Sequence, residues 1–415
     1  MKGIRNNLLN KNLMFTQDGK QKVAKWQHLE EMYHRQPGYK GVRLVPKLTA
    51  QHVVPKLIPK MKVKHCTQVF SRTVGVALGY MADCGQLPAE NKDTADLLIL
   101  MDELFDSVNG SYSKIRNGKI YRTAVTPKSP HHQLWRKSLP VLKSMVFVTK
   151  DGRKASVPSI SSWIKTIEGF QLLINHFKSL NVTSLLLRHF NQDPLENFFG
   201  AIRAQGHSNN MPNAYGFQAA YKTLMVNNLT SPHSVGANCE KDGDFCLNNL
   251  KNLIKSSEKS NEENTENIEI DFNDMNIENI NTNKLIEGKS PTDVERCAAV
   301  AYCSGWLVTK VQKKVFKSCP ECIEVFKSKE LEAFHKHIKI SEYNDKVWLC
   351  YPTRNIFDCF AEIENHVIEI LKNRSNKNKI QEYVKLIRLS NINFNFISCS
   401  SHRDKIINFL TKETV

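Results

Sequence analysis

The chain has 415 residues, of which 41% are hydrophobic, a length and composition that suit two or three domains with sizeable cores. No apolar run approaches the ~18 residues of a membrane span, and residues 1–15 lack the apolar centre and cleavage site of a signal peptide. These features exclude a membrane partner, and the 11 scattered cysteines indicate an intracellular chain with reduced thiols rather than a disulfide framework.

Positive charge is concentrated at the start of the chain. The net charge is +17 overall, and residues 1–65 carry 14 Lys and Arg against 3 Asp and Glu, a local net of +11. A local surplus of this kind is typical of a surface that binds a polyanion, because each cation on a phosphate releases a counterion. Nucleic acid is therefore one interpretation, and a solvated basic surface is the other.

Helical patterns dominate the first part of the chain. Residues 1–65 predict helices with polar and Pro-rich breaks, and residues 62–85 predict one long apolar helix that ends at Gly85. Residues 91–111 predict another helix, which Asn109 and Gly110 end.

The middle of the chain predicts a hairpin and two more helices. Asp151-Gly152 is a typical hairpin turn, and Ser161 or Ser162 is the expected cap of the next helix. Further on, Asp193 is expected to cap a helix and Glu196 to complete a capping box. The apolar positions of that helix predict one buried stripe: Leu195, Phe198, Phe199 and Ile202.

Residues 256–295 differ in kind from the rest. They carry 11 Asp and Glu, 3 Lys and Arg and eight Asn, with Phe272 as the one aromatic residue. Such a segment cannot bury enough apolar surface to fold, so it predicts a disordered linker. A mostly helical segment with several cysteines follows, over residues 296–415.

Metal-ligand spacing occurs twice in this last segment. Cys319 and Cys322 form a C-x₂-C pair, and Cys399 and His402 form a C-x₂-H pair. Two such pairs supply the four ligands of a tetrahedral zinc site, although small zinc fingers hold their pairs much closer together in sequence. Two reduced cysteine pairs without a metal are the alternative.

Two further pairs of polar residues allow a functional and a structural interpretation. Asp106 and Asn109 lie one turn apart at a helix end, where an Asp can pair with a guanine edge and an Asn can support it. A polar helix terminus explains them equally, and the chain has no glycine-rich phosphate loop of the G-x-x-x-x-G-K-[ST] type. Asp193 and Glu196 suit either a capping box or Mg²⁺ ligands.

Several segments together resemble the P element transposases, including those that carry a THAP DNA-binding domain. "VPKLTAQHV", "KMKVKHCTQVFSRTVGVAL" and "LMDELFDSVNG" resemble the GTP-binding insertion domain of that family. "NQDPLENFFGAIRAQG" resembles the return to the RNase H-like core and is the most specific part. "AYCSGWLVTKVQKKVFKSCPEC" is similar to the C-terminal region of the family.

The resemblance implies a mostly α fold with minor β structure, in which a helical GTP-binding insertion domain joins a remnant of an RNase H-like α/β core. The insertion domain would span residues 1–170 and the core remnant residues 171–250. The acidic, Asn-rich linker would span residues 251–295. A helical C-terminal domain, which contains the possible zinc ligands, would span residues 296–415.

Site residues also follow from the resemblance. Glu196 would be the last acidic, Mg²⁺-binding residue of the RNase H-like active site, with Asp193 beside it. The guanine contacts would fall on Asp106 and Asn109, with Lys47 as a further contact. The first two catalytic aspartates of the family would precede residue 1, and one carboxylate cannot position two metal ions.

These implications favour a nuclear, P element transposase-derived protein that is truncated and binds GTP and DNA without competent strand cleavage. One alternative is an active transposase whose N-terminal part is missing from this chain. Another is a non-enzymatic interaction module that binds neither ligand. The sequence leaves the oligomeric state open.

Overall fold

The computed structural model describes residues 1–35, 43–116, 118–208, 211–227, 293–343, 347–373 and 392–414. The chain divides into two compact units, of which the first comprises Met1–His189 with Gly288–Val415 and the second Phe190–Glu287. The predicted mostly α fold with minor β structure is confirmed. The linker predicted at residues 251–295 lies almost wholly outside the described residues, and the four domain boundaries stay predictions.

Helices form most of the described structure, and over the described residues none of them is long and apolar enough to cross a membrane. In chain order the helices are α1 (Lys2–Leu8), α2 (Trp26–Arg35), α3 (Ala50–Val53), α4 (Val63–Val69), α5 (Arg72–Asp83), α6 (Asn91–Val108), α7 (His131–Ser144), α8 (Pro158–Ser179), α9 (Asp193–Ser208), α10 (Ala214–Asn227), α11 (Asp293–Val311), α12 (Pro320–Phe326), α13 (Lys336–Ser341), α14 (Arg354–Asn373) and α15 (Arg403–Thr414).

A four-stranded antiparallel sheet lies in the first unit. Its strands are β1 (Asn12–Gln17), β2 (Lys20–Ala24), β3 (Val146–Val148) and β4 (Lys154–Ala155), in the order β2-β1-β3-β4. The hairpin predicted around Asp151-Gly152 is confirmed, since β3 pairs with β4 across that turn.

The purely helical prediction for residues 1–65 is wrong for β1 and β2. Asp18 and Gly19 both adopt positive φ, 52° and 75°, which is the backbone of a two-residue hairpin turn. Leu13 and Phe15 alternate with more exposed neighbours and are buried, as expected of a strand with one face on the core. The Asp-Gly turn signal therefore outweighs the helical pattern of the residues around it.

The apolar pattern over residues 62–85 forms two helices instead of the predicted one. The helical conformation ends at Phe70, whose ψ is 62°. Ser71 then caps α5 by accepting a hydrogen bond from the N–H of Val74. Helix α5 ends at Asp83, and Gly85 adopts a φ of 71° just beyond it, close to the predicted end. The helix predicted over residues 91–111 is confirmed as α6.

Helix α8 begins earlier than predicted. Pro158 is its first residue, which suits a proline because its missing N–H has no partner to lose there. The hydroxyls of Ser161 and Ser162 both donate to the carbonyl of Pro158 from inside the first turn. The prediction that one of these serines caps the helix is therefore wrong.

The first unit holds a large apolar core over residues 4–187 and a second core among residues 300–410. His337 of α13 lies where the later helices meet α5, with its ring 5.2 Å from that of Tyr80 and 5.8 Å from that of Tyr302. Burial lowers the pKa of His337 to about 4, so this contact is made by a neutral imidazole.

Candidate nucleotide and metal sites

Helix α6 ends at the two residues predicted to contact guanine. Asp106 lies in its last turn, and the N–H of Asn109 donates to the Asp106 carbonyl at 3.1 Å. Both residues are buried. A Cβ at Gly110 would lie 2.3 Å from the carbonyl oxygen of Thr123, so the chain needs glycine to pass this close. The helix end is thus a packed part of the structure.

Charged side chains surround Asp106, and we call this set the acidic cluster: Arg72, Asp102, Glu103, Asp106 and Lys119. The Lys119 Nζ lies 2.9 Å from Asp106 Oδ2, and this Asp106 side chain is only 8% exposed. Arg72 Nη1 lies 3.4 Å from Glu103 Oε1. Two cations and three carboxylates therefore share one largely buried region.

Asp102 has the most strongly perturbed carboxyl of the acidic cluster. Burial, followed by the neighbouring charge of Asp106, raises the pKa of Asp102 to about 7, although Lys119 partly offsets the effect. Among the described residues its Oδ2 has no hydrogen-bond partner. A second ionised carboxylate beside Asp106 is therefore disfavoured at neutral pH.

Two residues from a late segment of the chain, Glu342 and Tyr343, contact Arg72 of the acidic cluster. Arg72 Nη2 donates to the carbonyl of Glu342 at 2.6 Å, and its guanidinium lies 4.7 Å from the centre of the Tyr343 ring. The Glu342 carboxylate accepts from the N–H groups of Trp348 and Leu349. Through Arg72, the acidic cluster thus contacts a late part of the sequence as well as early ones.

Lys47, the further predicted guanine contact, lies in an exposed turn after Pro46. The ion-pair partner of Asp106 is Lys119 instead. A role for Lys47 at the base stays a prediction.

The acidic pair lies at the start of α9. The helix begins at Asp193 itself, one residue earlier than a cap at Asp193 requires. Asn191 Oδ1 accepts from the Asp193 N–H at 3.1 Å, and Gln192 Nε2 donates to Glu196 Oε1 at 3.0 Å. Glu196 is exposed. Its carboxylate is therefore accessible to solvent in the first turn of the helix.

The apolar stripe predicted on α9 is only partly buried. Ile202 is 2% exposed, but Leu195 and Phe199 are 55% and 41% exposed, so the prediction of one buried stripe is wrong. The helix packs on α10, where Phe198 contacts the ring of Tyr221 edge to face. Helical spacing identified the apolar face, but it did not show how little of that face one neighbouring helix covers.

The structure brings together all four residues with metal-ligand spacing. Their ligand atoms, three thiol sulfurs and one imidazole nitrogen, lie within 4.8 Å of one another, and we call this set the Cys/His group: Cys319, Cys322, Cys399 and His402. His402 Nδ1 lies 3.3 Å from Cys399 Sγ and 3.7 Å from Cys322 Sγ. All described cysteines are free thiols.

Sequence reasoning missed Arg72, Lys119 and Tyr343 at the acidic cluster. They come from a helix start, a loop and a late segment, and none of them belongs to a motif with Asp106. A lysine 13 positions away in a loop carries no spacing signal. Only the fold brings these residues together.

Two regions of the chain match known protein families. The family described as TNP-like, GTP-binding insertion domain matches residues 1–120, and the family described as TNP-like, RNase H C-terminal domain matches residues 189–222. Asp106 and Asn109 lie in the first matched region, and Asp193 and Glu196 lie in the second. Two separate regions of the chain are therefore similar to TNP-like domains.

The chain is also similar to a P element transposase along most of its own length. It is 21% identical over 373 residues to the Transposable element P transposase of Drosophila melanogaster, covering 83% of this chain and 45% of that protein. It thus spans about half the length of this relative. The solved Drosophila P element transposase strand transfer complex matches 55% of this chain and 50% of the solved chain, at 20% identity and a TM-score of 0.44.

Proposed function

We propose that this chain binds a guanine nucleotide and DNA in the nucleus. The observation that carries the nucleotide part is the match of residues 1–120 to a GTP-binding insertion domain, within which Asp106 and Asn109 form the packed end of α6. The DNA part is supported by the basic surface and by the relation to a transposase.

Asp106 is the proposed reader of the base. Guanine presents a ring N–H and an exocyclic amine on one edge, and a carboxylate can accept from both in a charge-assisted pair. Lys119 contacts one oxygen of this carboxylate, and a carboxylate has about four acceptor positions, so acceptor positions remain for the base. Adenine offers no matching pair of donors, so it would leave acceptor positions of the buried Asp106 carboxylate without hydrogen bonds from the base.

A titration tests the nucleotide proposal. The full chain is titrated with fluorescent GTP and GDP analogues and then with ATP as competitor. We expect guanine nucleotides to bind about five- to 150-fold more tightly, since one unpaired buried acceptor costs about 1–3 kcal/mol. Equal competition by ATP would contradict the proposed base reading.

Only some of the 14 cations in residues 1–65 can belong to the proposed DNA surface, because others are buried or paired. Arg5 is fully buried and donates to the carbonyl of Lys60, and Lys22 and Lys25 pair with Asp96 and Glu90. Exposed cations lie instead in the Pro-rich stretch that leads into α4 and in the first turn of that helix: Lys47, Lys56, Lys60, Lys62 and Lys64. Arg203 of α9 is exposed as well.

Salt dependence tests this surface. Binding to duplex DNA should weaken steeply as salt rises, with a slope of about 0.9 per phosphate contacted. A triple variant, Lys56→Gln with Lys60→Gln and Lys62→Gln, should flatten that slope. The matched control removes three exposed lysines elsewhere: Lys150→Gln, Lys154→Gln and Lys178→Gln. Equal slopes in the two variants would contradict the assignment of the surface.

For the RNase H-like part we propose Glu196 as a Mg²⁺ ligand with Asp193 beside it, and no strand cleavage by this 415-residue polypeptide on its own. The reason is that two-metal chemistry needs several converging carboxylates, and the resemblance assigns only this pair within the chain. Incubation with donor DNA and Mg²⁺ or Mn²⁺ should leave the strands intact. Cleavage that Glu196→Gln abolishes would overturn this part of the proposal.

A further inference from the structure

The Cys/His group is not used by the proposed nucleotide, DNA or Mg²⁺ contacts. We infer that it is a structural zinc site in which Cys319, Cys322, Cys399 and His402 Nδ1 supply all four ligands. The inference rests on the convergence of their ligand atoms, and it is independent of the proposed function.

The distances suit one tetrahedral ion. Zn–S bonds of about 2.3 Å and Zn–N bonds of about 2.05 Å place neighbouring S and N ligands about 3.6 Å apart and two sulfurs about 3.8 Å apart. Nδ1 of His402 lies 3.3 Å from Cys399 Sγ and 3.7 Å from Cys322 Sγ, and no two ligand atoms are more than 4.8 Å apart. A small adjustment of the side chains therefore completes the coordination.

Local backbone structure sets each half of the site. Cys319 is the residue before α12, its carbonyl accepts from the N–H of Ile323, and Cys322 follows in the first turn. Cys399 uses its carbonyl in the same way, accepting from the N–H groups of His402 and Arg403 just before α15. Each pair therefore spans a tight turn that directs both ligands to one side.

Burial identifies the site as structural. Cys322 and Cys399 are 1% and 5% exposed and belong to the second apolar core, together with Phe326 and Ile406. A closed set of three thiolates and one imidazole leaves no open position for a substrate, which is the pattern of structural zinc. Soft sulfur ligands also favour zinc over Mg²⁺ or Ca²⁺.

The proposed ion joins distant parts of the chain. Cys322 and Cys399 are separated by 77 positions, from 322 to 399, so the ion closes a long loop and attaches α15 to α12. Because the ligands cannot form such a site in the unfolded chain, binding contributes directly to folding of this region. Hydrogen exchange of α15 should therefore speed up when the metal is removed.

Metal analysis of the full chain, purified without a metal-affinity step, tests the inference. We expect about one zinc per chain, loss of that zinc in Cys319→Ser, and retention in Cys350→Ser, a partly buried cysteine of the same core outside the group. Co²⁺ in place of zinc should give the visible spectrum of a tetrahedral thiolate complex.

A further variant separates coordination from hydrogen bonding. His402→Cys keeps four ligands and should retain the metal, whereas His402→Ala should lose it. This comparison remains informative if Cys319→Ser fails to fold. Protein that holds no zinc after purification and takes up none when zinc is added would overturn the inference, as would an unchanged zinc content in Cys319→Ser.

Discussion

The acidic cluster and the Cys/His group are both buried and polar, but their polar atoms have different partners. In the acidic cluster, Lys119 and Arg72 supply cations to Asp106 and Glu103. In the Cys/His group, the thiols and the imidazole lie against one another. The first set carries its own counter-charges, whereas the second is arranged to share one external cation. The first is therefore expected to be stable without a ligand, and the second to depend on an ion.

The largest effect should come from the Cys/His group. Cys322→Ser should destabilise the chain by several kcal/mol, since structural zinc contributes about 10 kcal/mol or more to the folding of small zinc domains. Cys359→Ser serves as a control, because Cys359 is also a buried free cysteine but lies outside the group. Chemical denaturation measures the loss of stability in each variant. Equal losses in Cys322→Ser and Cys359→Ser would contradict a metal-dependent role of the Cys/His group.

The free energy of unfolding should depend on pH through the titration of Asp102 in the acidic cluster. Its pKa is raised from 3.8 to about 7, so folding favours the protonated form. That stabilisation is fully present below about pH 4 and is lost as pH rises through about 7, by an amount on the order of 4 kcal/mol. Asp102→Asn should remove this part of the slope and be more stable than the parent chain above pH 7.

The measurement is the free energy of unfolding between pH 4 and pH 8. His337, whose pKa is lowered to about 4, acts in the opposite direction, because its stabilisation is lost as pH falls from about 6.5 towards 4. The comparison is therefore made between Asp102→Asn and the parent chain, both of which contain His337. Parallel curves for the two proteins would contradict the assignment to Asp102.

Removal of the internal cation should have a smaller effect. Lys119→Met leaves the buried Asp106 carboxylate without its ion pair, and we expect a loss of about 2 kcal/mol, reduced because Lys119 is 32% exposed. The double variant with Asp106→Asn should recover part of that loss. Lys92→Met is the control, since its pair with Asp83 is exposed and should not contribute measurably. No recovery in the double variant would show that the two side chains are not coupled.

These two sites also differ in how far the sequence predicts them. All four members of the Cys/His group follow from sequence spacing, because each ligand pair lies within one local turn and tetrahedral coordination requires two pairs. Asp106 and Asn109 are also identified from sequence, but their partners Arg72, Lys119 and Tyr343 are not. Those contacts depend on long-range packing, which leaves no periodic signal.

The fold shows the same limit. Helix α6 and the β3–β4 hairpin are predicted correctly because periodicity and turn residues agree there. The β1–β2 hairpin is missed because a helical pattern competes with the Asp18-Gly19 turn, and the exposure of α9 depends on how much its neighbours cover. Local signals therefore determine the elements, and tertiary contacts determine which of their faces are buried.

The proposed reading of guanine by Asp106 is tested most directly by changing this residue and the nucleotide base together. Calorimetry of the full chain, Asp106→Asn and the matched control Asp96→Asn, a change on the same helix, is performed with GTP, XTP and ATP. Xanthine presents an acceptor where guanine presents its amine, so an Asn at 106 should bind XTP better than GTP. We predict that the parent chain and Asp96→Asn prefer GTP and that Asp106→Asn prefers XTP. An Asp106→Asn variant with the unchanged preference of the parent chain would contradict it.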